Sequence, residues 1–243
     1  VDLFGFYRVA SKLKVIRRAG WAKRAPSADV ESVADHSLMV SILSIVLAER
    51  LGLDPSRCAA LAAIHDLAES MVGDLLPEEA RPEEKHARER AALAAIAGSL
   101  GDGDALLRLY DEYERGATPE SRLVHQVDKL ELALQAISYY MDGVLDGQDA
   151  CEFVRAALRY LRDGDLADHV QAALRASGLV CAPAIGDSPG RFLYFWPVGK
   201  SRACGYAWRS SVRASWPRTS RRGSSGSRRA TWSPTGSPWP TFR

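Results

Sequence analysis

The sequence has no apolar stretch of the roughly 18 to 20 residues that a membrane-spanning helix requires; its longest candidates are broken by Asp, Glu or Arg. It also lacks a secretory pattern at its start, because "VDLFGFYRVASKLKVIRR" carries its basic residues after the apolar ones. No membrane association and a cytoplasmic location are therefore expected. Cysteine is sparse: Cys58, Cys151, Cys181 and Cys204 lie far apart and form no CxxC pair. This spacing excludes a zinc ribbon or a thioredoxin-type redox site and predicts reduced, structural thiols.

One end of the chain is nearly devoid of acidic residues. From Gly186 to Arg243 there are ten Arg and one Lys against Asp187 alone, a net charge of +10 that leaves −8 for the remainder. Two kinds of polypeptide are joined here. Residues 183–243 are rich in Arg, Ser, Pro and Trp without a period, a composition that cannot bury enough surface to offset its ordering entropy. A disordered tail is expected there. Its composition also resembles an out-of-frame translation, which DNA sequencing across codons 180 to 205 would refute by showing an intact frame. Nucleic-acid binding by this tail is not expected, since a charge run without a fold is usually only solvated.

Strand periodicity is likewise missing. Residues 1–182 read as a single all-α domain, a helical bundle whose segments follow helical periodicity and are separated by helix punctuation. Helices are predicted over about 3–18, 32–52, 54–72, 82–99, 105–115, 119–141, 150–162 and 166–176. Ser32 with Asp35, Asp54 with Pro55, and Thr118 with Pro119 mark starts. The second helix is apolar around most of its circumference, so a central place in the bundle is predicted for it.

Against this background the stretch "AAIHDLAESMVGDL" is anomalous. His65 and Asp66 interrupt an alanine-rich run, where neither adds helix propensity nor is readily buried alone. On one continuous helix Glu69 would share a face with His65. His36 lies in the first turn of the preceding helix and Asp128 inside the later "LVHQVDKLELALQA". Two imidazoles and two carboxylates form a ligand set of intermediate hardness suited to a divalent transition metal. Four protein ligands would leave positions for water and substrate, the character of a catalytic site.

The order His, His-Asp, Asp, each on its own helix, resembles the HD-domain metal-dependent phosphohydrolase superfamily. The segments "RRAGWAKR", "ESVADHS", "HDLAESMVGDL", "PEEKHARE" and "VDKLELALQA" are similar to its 5'-deoxynucleotidase branch. The similarity runs from Leu13 to Gly143 and weakens toward Gly178. It implies an HD-domain helical bundle, a homodimer, and metal-dependent removal of the 5'-phosphate from deoxynucleoside monophosphates, with cobalt, manganese or another transition metal as cofactor. It implies His36, His65, Asp66 and Asp128 as metal ligands and Glu69 as the catalytic carboxylate, positioning water or relaying a proton. It also implies Asp74 against the sugar hydroxyl, and Arg18 and Trp21 holding phosphate and sugar; Arg17 or Arg24 could stand in for Arg18. Another phosphorylated nucleotide, cyclic or polyphosphorylated, is an alternative substrate, and an inactive nucleotide- or nucleic-acid-binding module is a third reading. His86 could border the pocket, join a second metal site or lie on a solvated face; Glu131 could orient Asp128 or take a second cation; His125 could support the site or pack between helices, and Lys129 could contact phosphate.

Overall fold

The computed structural model describes residues 1–76, 79, 81–101 and 103–181, so the expected disorder of residues 183–243 lies outside the described residues. Among these the regular structure is helical, apart from one isolated bridge between Arg17 and Ser32. Ten α-helices follow in order: α1 Leu3–Ala10, α2 Ala19–Arg24, α3 Val33–Leu51, α4 Pro55–Ile64, α5 Glu69–Val72, α6 Pro82–Ser99, α7 Asp104–Glu114, α8 Pro119–Met141, α9 Gly147–Tyr160 and α10 Gly164–Ser177.

The starts read from sequence have physical counterparts. Ser32 and Asp35 close a reciprocal capping box on α3, Asp54 caps α4 ahead of Pro55, and Thr118 caps α8 ahead of Pro119. Gly52 ends α3 with φ 68°, the left-handed conformation that costs glycine nothing.

The core is built around α8, which packs against α3, α4, α7, α9 and α10. Its buried residues include Leu123, Val124, Val127, Leu130, Ala133 and Ile137. A second apolar cluster, with Leu13, Val33, Leu67, Leu93, Ile96 and Tyr110, closes the other side of the functional helices.

Four expectations are corrected. The first helix does not continue to Arg18: α1 stops at Ala10, a 3-10 turn covers Ser11–Lys14, and the chain then pairs with the segment before α3. Val33 N–H donates to Ile16 O and Arg18 N–H to Glu31 O, bonds a continuing helix could not make. Gly20 lies inside α2, which occupies part of the gap between the first two predicted helices.

The helix carrying His65 also breaks. After Ile64 the chain tightens, with i→i+3 bonds from Leu67 to Ile64, Glu69 to Asp66 and Ser70 to Leu67. The third correction concerns α3, which packs on α4 and α8 but leaves Leu38, Met39, Ile42, Ile45 and Val46 between 41% and 59% exposed, so it is not central.

Finally, Cys151 and Cys181 form a disulfide rather than remaining reduced. The segment after α10 returns to α9 and brings the two Cα atoms to 5.2 Å, a proximity invisible in residues 30 apart. Cys58 is a free, buried thiol, as expected of a structural cysteine, and Cys204 lies outside the described residues.

Candidate metal and phosphate site

Three helices deliver the His and Asp side chains to one place. His36 comes from the first turn of α3, His65 caps the C-terminus of α4, Asp66 follows it, and Asp128 lies on α8. Ala62 of α4 is fully buried and lets its neighbours approach. One ligand atom from each of His36, His65 and Asp66 falls within 4.8 Å of the others. His65 Nε2 lies 3.2 Å and His36 Nε2 3.7 Å from Asp66 Oδ2. Asp128 joins through His36, its Oδ1 being 3.4 Å from the same Nε2.

The other nitrogen of each imidazole is committed. His36 Nδ1 is 2.7 Å from Glu131 Oε2, and His65 Nδ1 is 2.7 Å from the carbonyl of Ala62. Both partners act as acceptors, so each Nδ1 carries a hydrogen and each Nε2 is the nitrogen left to face the cluster. Among the described residues, both Nε2 atoms are buried without a hydrogen-bond partner, as is Glu69 Oε2. Buried polar atoms are normally satisfied. Two imidazole Nε2 atoms and the carboxylates of Asp66 and Asp128 converge there, with Arg18 and Lys129 at the edge, and a divalent cation fits this donor set in place of the His36 proton.

The electrostatics agree. Burial and the Arg18 charge oppose protonation of His36, but its bonds to Asp128 and Glu131 and the Asp66 charge outweigh them and push it up to about 10. Positive charge is therefore favoured at this point. Burial raises Asp66, yet the charges of His65, Arg18 and His36 hold it well below the carboxylate range. Burial likewise works against Asp128, which Lys129 and His36 keep ionised.

Glu69 is different. It is 3% exposed, and burial together with Asp66 and Asp74 pushes it up to about 10 despite Arg18 and Lys85. The break after Ile64 decides its neighbour. In a continuous α-helix Glu69 would align with His65, whereas i→i+3 winding places Glu69 in line with Asp66.

Beside the ligands is a polar cavity of about 300 Å³ lined by residues that include Arg18, Asp74, Lys85, His125 and Lys129 along with His65, Asp66 and Asp128. Arg18 Nη1 reaches Asp66 and Asp74, each at 3.5 Å, and Asp74 Oδ2 accepts the Ala19 N–H at 2.8 Å. Burial opposes the Arg18 charge, and Asp66, Asp74, Glu69 and Asp128 more than restore it. Arg17 points elsewhere, to the carbonyls of Pro26 and Ala28, and Arg24 forks onto Asp149 and Glu152 of α9.

Trp21 does not line this cavity. It is 1% exposed, donates its indole N–H to Glu31 at 2.7 Å, and packs on Phe153 and Tyr139. It therefore supports the Arg18 turn from within. Lys129, one residue beyond Asp128, faces the cavity after all, because its long stem carries Nζ to 2.8 Å from Asp128 Oδ2. His125 donates Nε2–H to Tyr113 O and stacks on the Tyr113 ring. His86 pairs with Glu114 at the surface. Lys85 and Glu89 also line the cavity, and sequence reading did not single them out although their segment belonged to the resemblance.

Comparison with known proteins places this geometry. Residues 10–159 match the HD domain family model. The chain is 36% identical over 141 residues to "5'-deoxynucleotidase HDDC2" of Danio rerio, covering 57% of this chain and 70% of that protein. It is 38% identical over 142 residues to the Homo sapiens protein of the same name, covering 57% and 68%. A crystal structure of a Pyrococcus horikoshii protein superposes with a TM-score of 0.59 at 26% identity, over 72% of this chain and 98% of that one. With His36, His65, Asp66 and Asp128 gathered on helices inside the matched span, this chain belongs to the HD domain family.

Proposed function

We propose that this protein is a metal-dependent phosphohydrolase that removes the 5'-phosphate from deoxynucleoside monophosphates. The observation that carries the reading is the junction of the buried His36, His65, Asp66 and Asp128 cluster with Arg18, Lys85 and Lys129 around one polar cavity. The names of the curated relatives support the substrate class. The cavity volume is at the lower end of the range for small-molecule sites, about 300–1,000 Å³, which suits a nucleotide whose base projects outward.

His36, His65, Asp66 and Asp128 would hold a divalent ion such as cobalt or manganese. When bound, that ion acidifies water and offsets phosphoryl charge. Arg18, Lys85 and Lys129 hold the phosphate oxygens, which leaves in-line positioning as the main remaining requirement of phosphoryl transfer. Glu69, buried beside Asp66 and Asp74, is the carboxyl group that positions the attacking water or relays a proton to the departing 5'-oxygen. Asp74 fixes the start of α2, and its remaining acceptor capacity faces the cavity for a sugar hydroxyl. The exposed apolar stripe on α3 is the surface through which two copies would pair.

The test is phosphate release from a panel of 5'-deoxynucleoside and 5'-ribonucleoside monophosphates by chelator-stripped protein, with and without manganese or cobalt. Metal-dependent release favouring the deoxy series is expected. Release from none of the monophosphates by metal-loaded protein would overturn the reading.

A further inference from the structure

One turn of α8 spans both nitrogens of His36. Asp128 Oδ1 lies 3.4 Å from Nε2, and Glu131, three residues later, places Oε2 2.7 Å from Nδ1. Glu131 is almost wholly buried, and a buried polar group is kept in such a place by hydrogen-bond partners, here the His36 ring. Within 4.8 Å of the same ligand atoms stands the carboxylate of Glu31. Glu31 accepts the Trp21 indole N–H, its backbone carbonyl accepts the Arg18 N–H at 3.1 Å, and its own N–H donates to the Tyr139 hydroxyl at 2.7 Å.

We propose that two neighbouring buried carboxyl groups bridge the halves of the site, each through its own bonds: Glu131 positions His36 on the metal side, and Glu31 positions Arg18 with Trp21 on the phosphate side. The inference rests on the metal-site reading above. Glu131 accepts the Nδ1–H of His36, so it fixes the ring and its tautomer and makes Nε2 the stronger ligand. Glu31 fixes the opposite wall through one backbone and one side-chain bond.

The experiment compares the full-length protein with Glu131→Gln, Glu31→Gln and His36→Ala by cobalt titration against a competing chelator, cobalt absorption spectra and inhibition by inorganic phosphate. Glu131→Gln should weaken cobalt binding about 10- to 100-fold and shift the cobalt spectrum, with the metal-free melting curve remaining cooperative. Glu31→Gln should keep cobalt affinity within about threefold, as a residue outside the ligand shell, while weakening phosphate inhibition several-fold. Unchanged cobalt affinity in Glu131→Gln, or equal metal loss in Glu31→Gln, overturns the bridge.

His36→Ala separates the two readings. If it retains cobalt, the metal site itself is wrong; if it loses cobalt while Glu131→Gln does not, only the bridge fails. Should Glu131→Gln not fold, the imidazole nitrogens of the wild-type protein loaded with zinc report the same point by NMR. A proton on His36 Nδ1 supports the bridge, and one on Nε2 overturns it.

Discussion

Glu69→Gln should stabilise the metal-free protein while sharply lowering turnover. In the unfolded chain Glu69 titrates near 4.5; in the fold, burial with Asp66 and Asp74 raises it to about 10. The native state thus retains a proton that the unfolded state releases above 4.5, so this group's contribution is full below that pH and declines as pH rises toward 10. Each pH unit in that window costs at most about 1.4 kcal/mol. Between about pH 5 and 6.5 the wild type should lose up to about 2 kcal/mol that Glu69→Gln, which has nothing to titrate, does not.

For a chain of this size that corresponds to a difference in melting temperature growing by about 4–8 °C across the interval. Asp66 and Asp128, both held low, contribute constantly there, and His36 loses its contribution only above its unfolded value of 6.5. The assay is calorimetry in chelator at several pH values, paired with phosphate release and metal content in cobalt. Turnover should fall about 10²- to 10⁴-fold with metal content unchanged. A melting difference between variant and wild type that is constant with pH would refute the reasoning about Glu69.

Further outcomes follow from other parts of the molecule. Restoring cobalt to stripped protein at about 100 times its Kd should add about 2.7 kcal/mol, read as a rise in melting temperature that Asp128→Asn reduces. Leu93→Ala, at a fully buried position in the cluster beneath α1 and α6, should cost about 2–5 kcal/mol in denaturant unfolding; a loss below 1 kcal/mol would contradict its placement. Cys181→Ser removes the link across 30 residues and should cost about 2–4 kcal/mol. Insensitivity of the wild-type melting point to reductant would show that the bond does not form in solution.

The helix order and most starts could be read from sequence because caps are local: Ser32, Asp54 and Thr118 each act within three residues of themselves. The His and Asp residues were legible for a different reason, their chemistry being out of place in apolar helices. What escaped reading is long-range. His36 meets Glu131 across 95 residues, and Cys151 meets Cys181 only because α9 and the end of α10 converge. Trp21 looked like a substrate residue by resemblance, and only packing shows it enclosed by Phe153 and Tyr139. The exposed stripe on α3 is indistinguishable in sequence from a core-facing one, since apolarity records burial without naming the partner.

The tightened turn after Ile64 has a consequence for anyone seeking to improve this protein. Its i→i+3 winding holds Glu69 in register with Asp66, while relaxation to an α-helix would rotate the two apart by roughly 60°. Substitutions at Leu67 and Ala68 chosen to lengthen α4 into α5 would raise helix content and disperse the acid from its ligand neighbour. Conventional stabilisation by regularising secondary structure would here select against the enzyme, and the tolerable path to a hardier variant leads through the core and the caps instead.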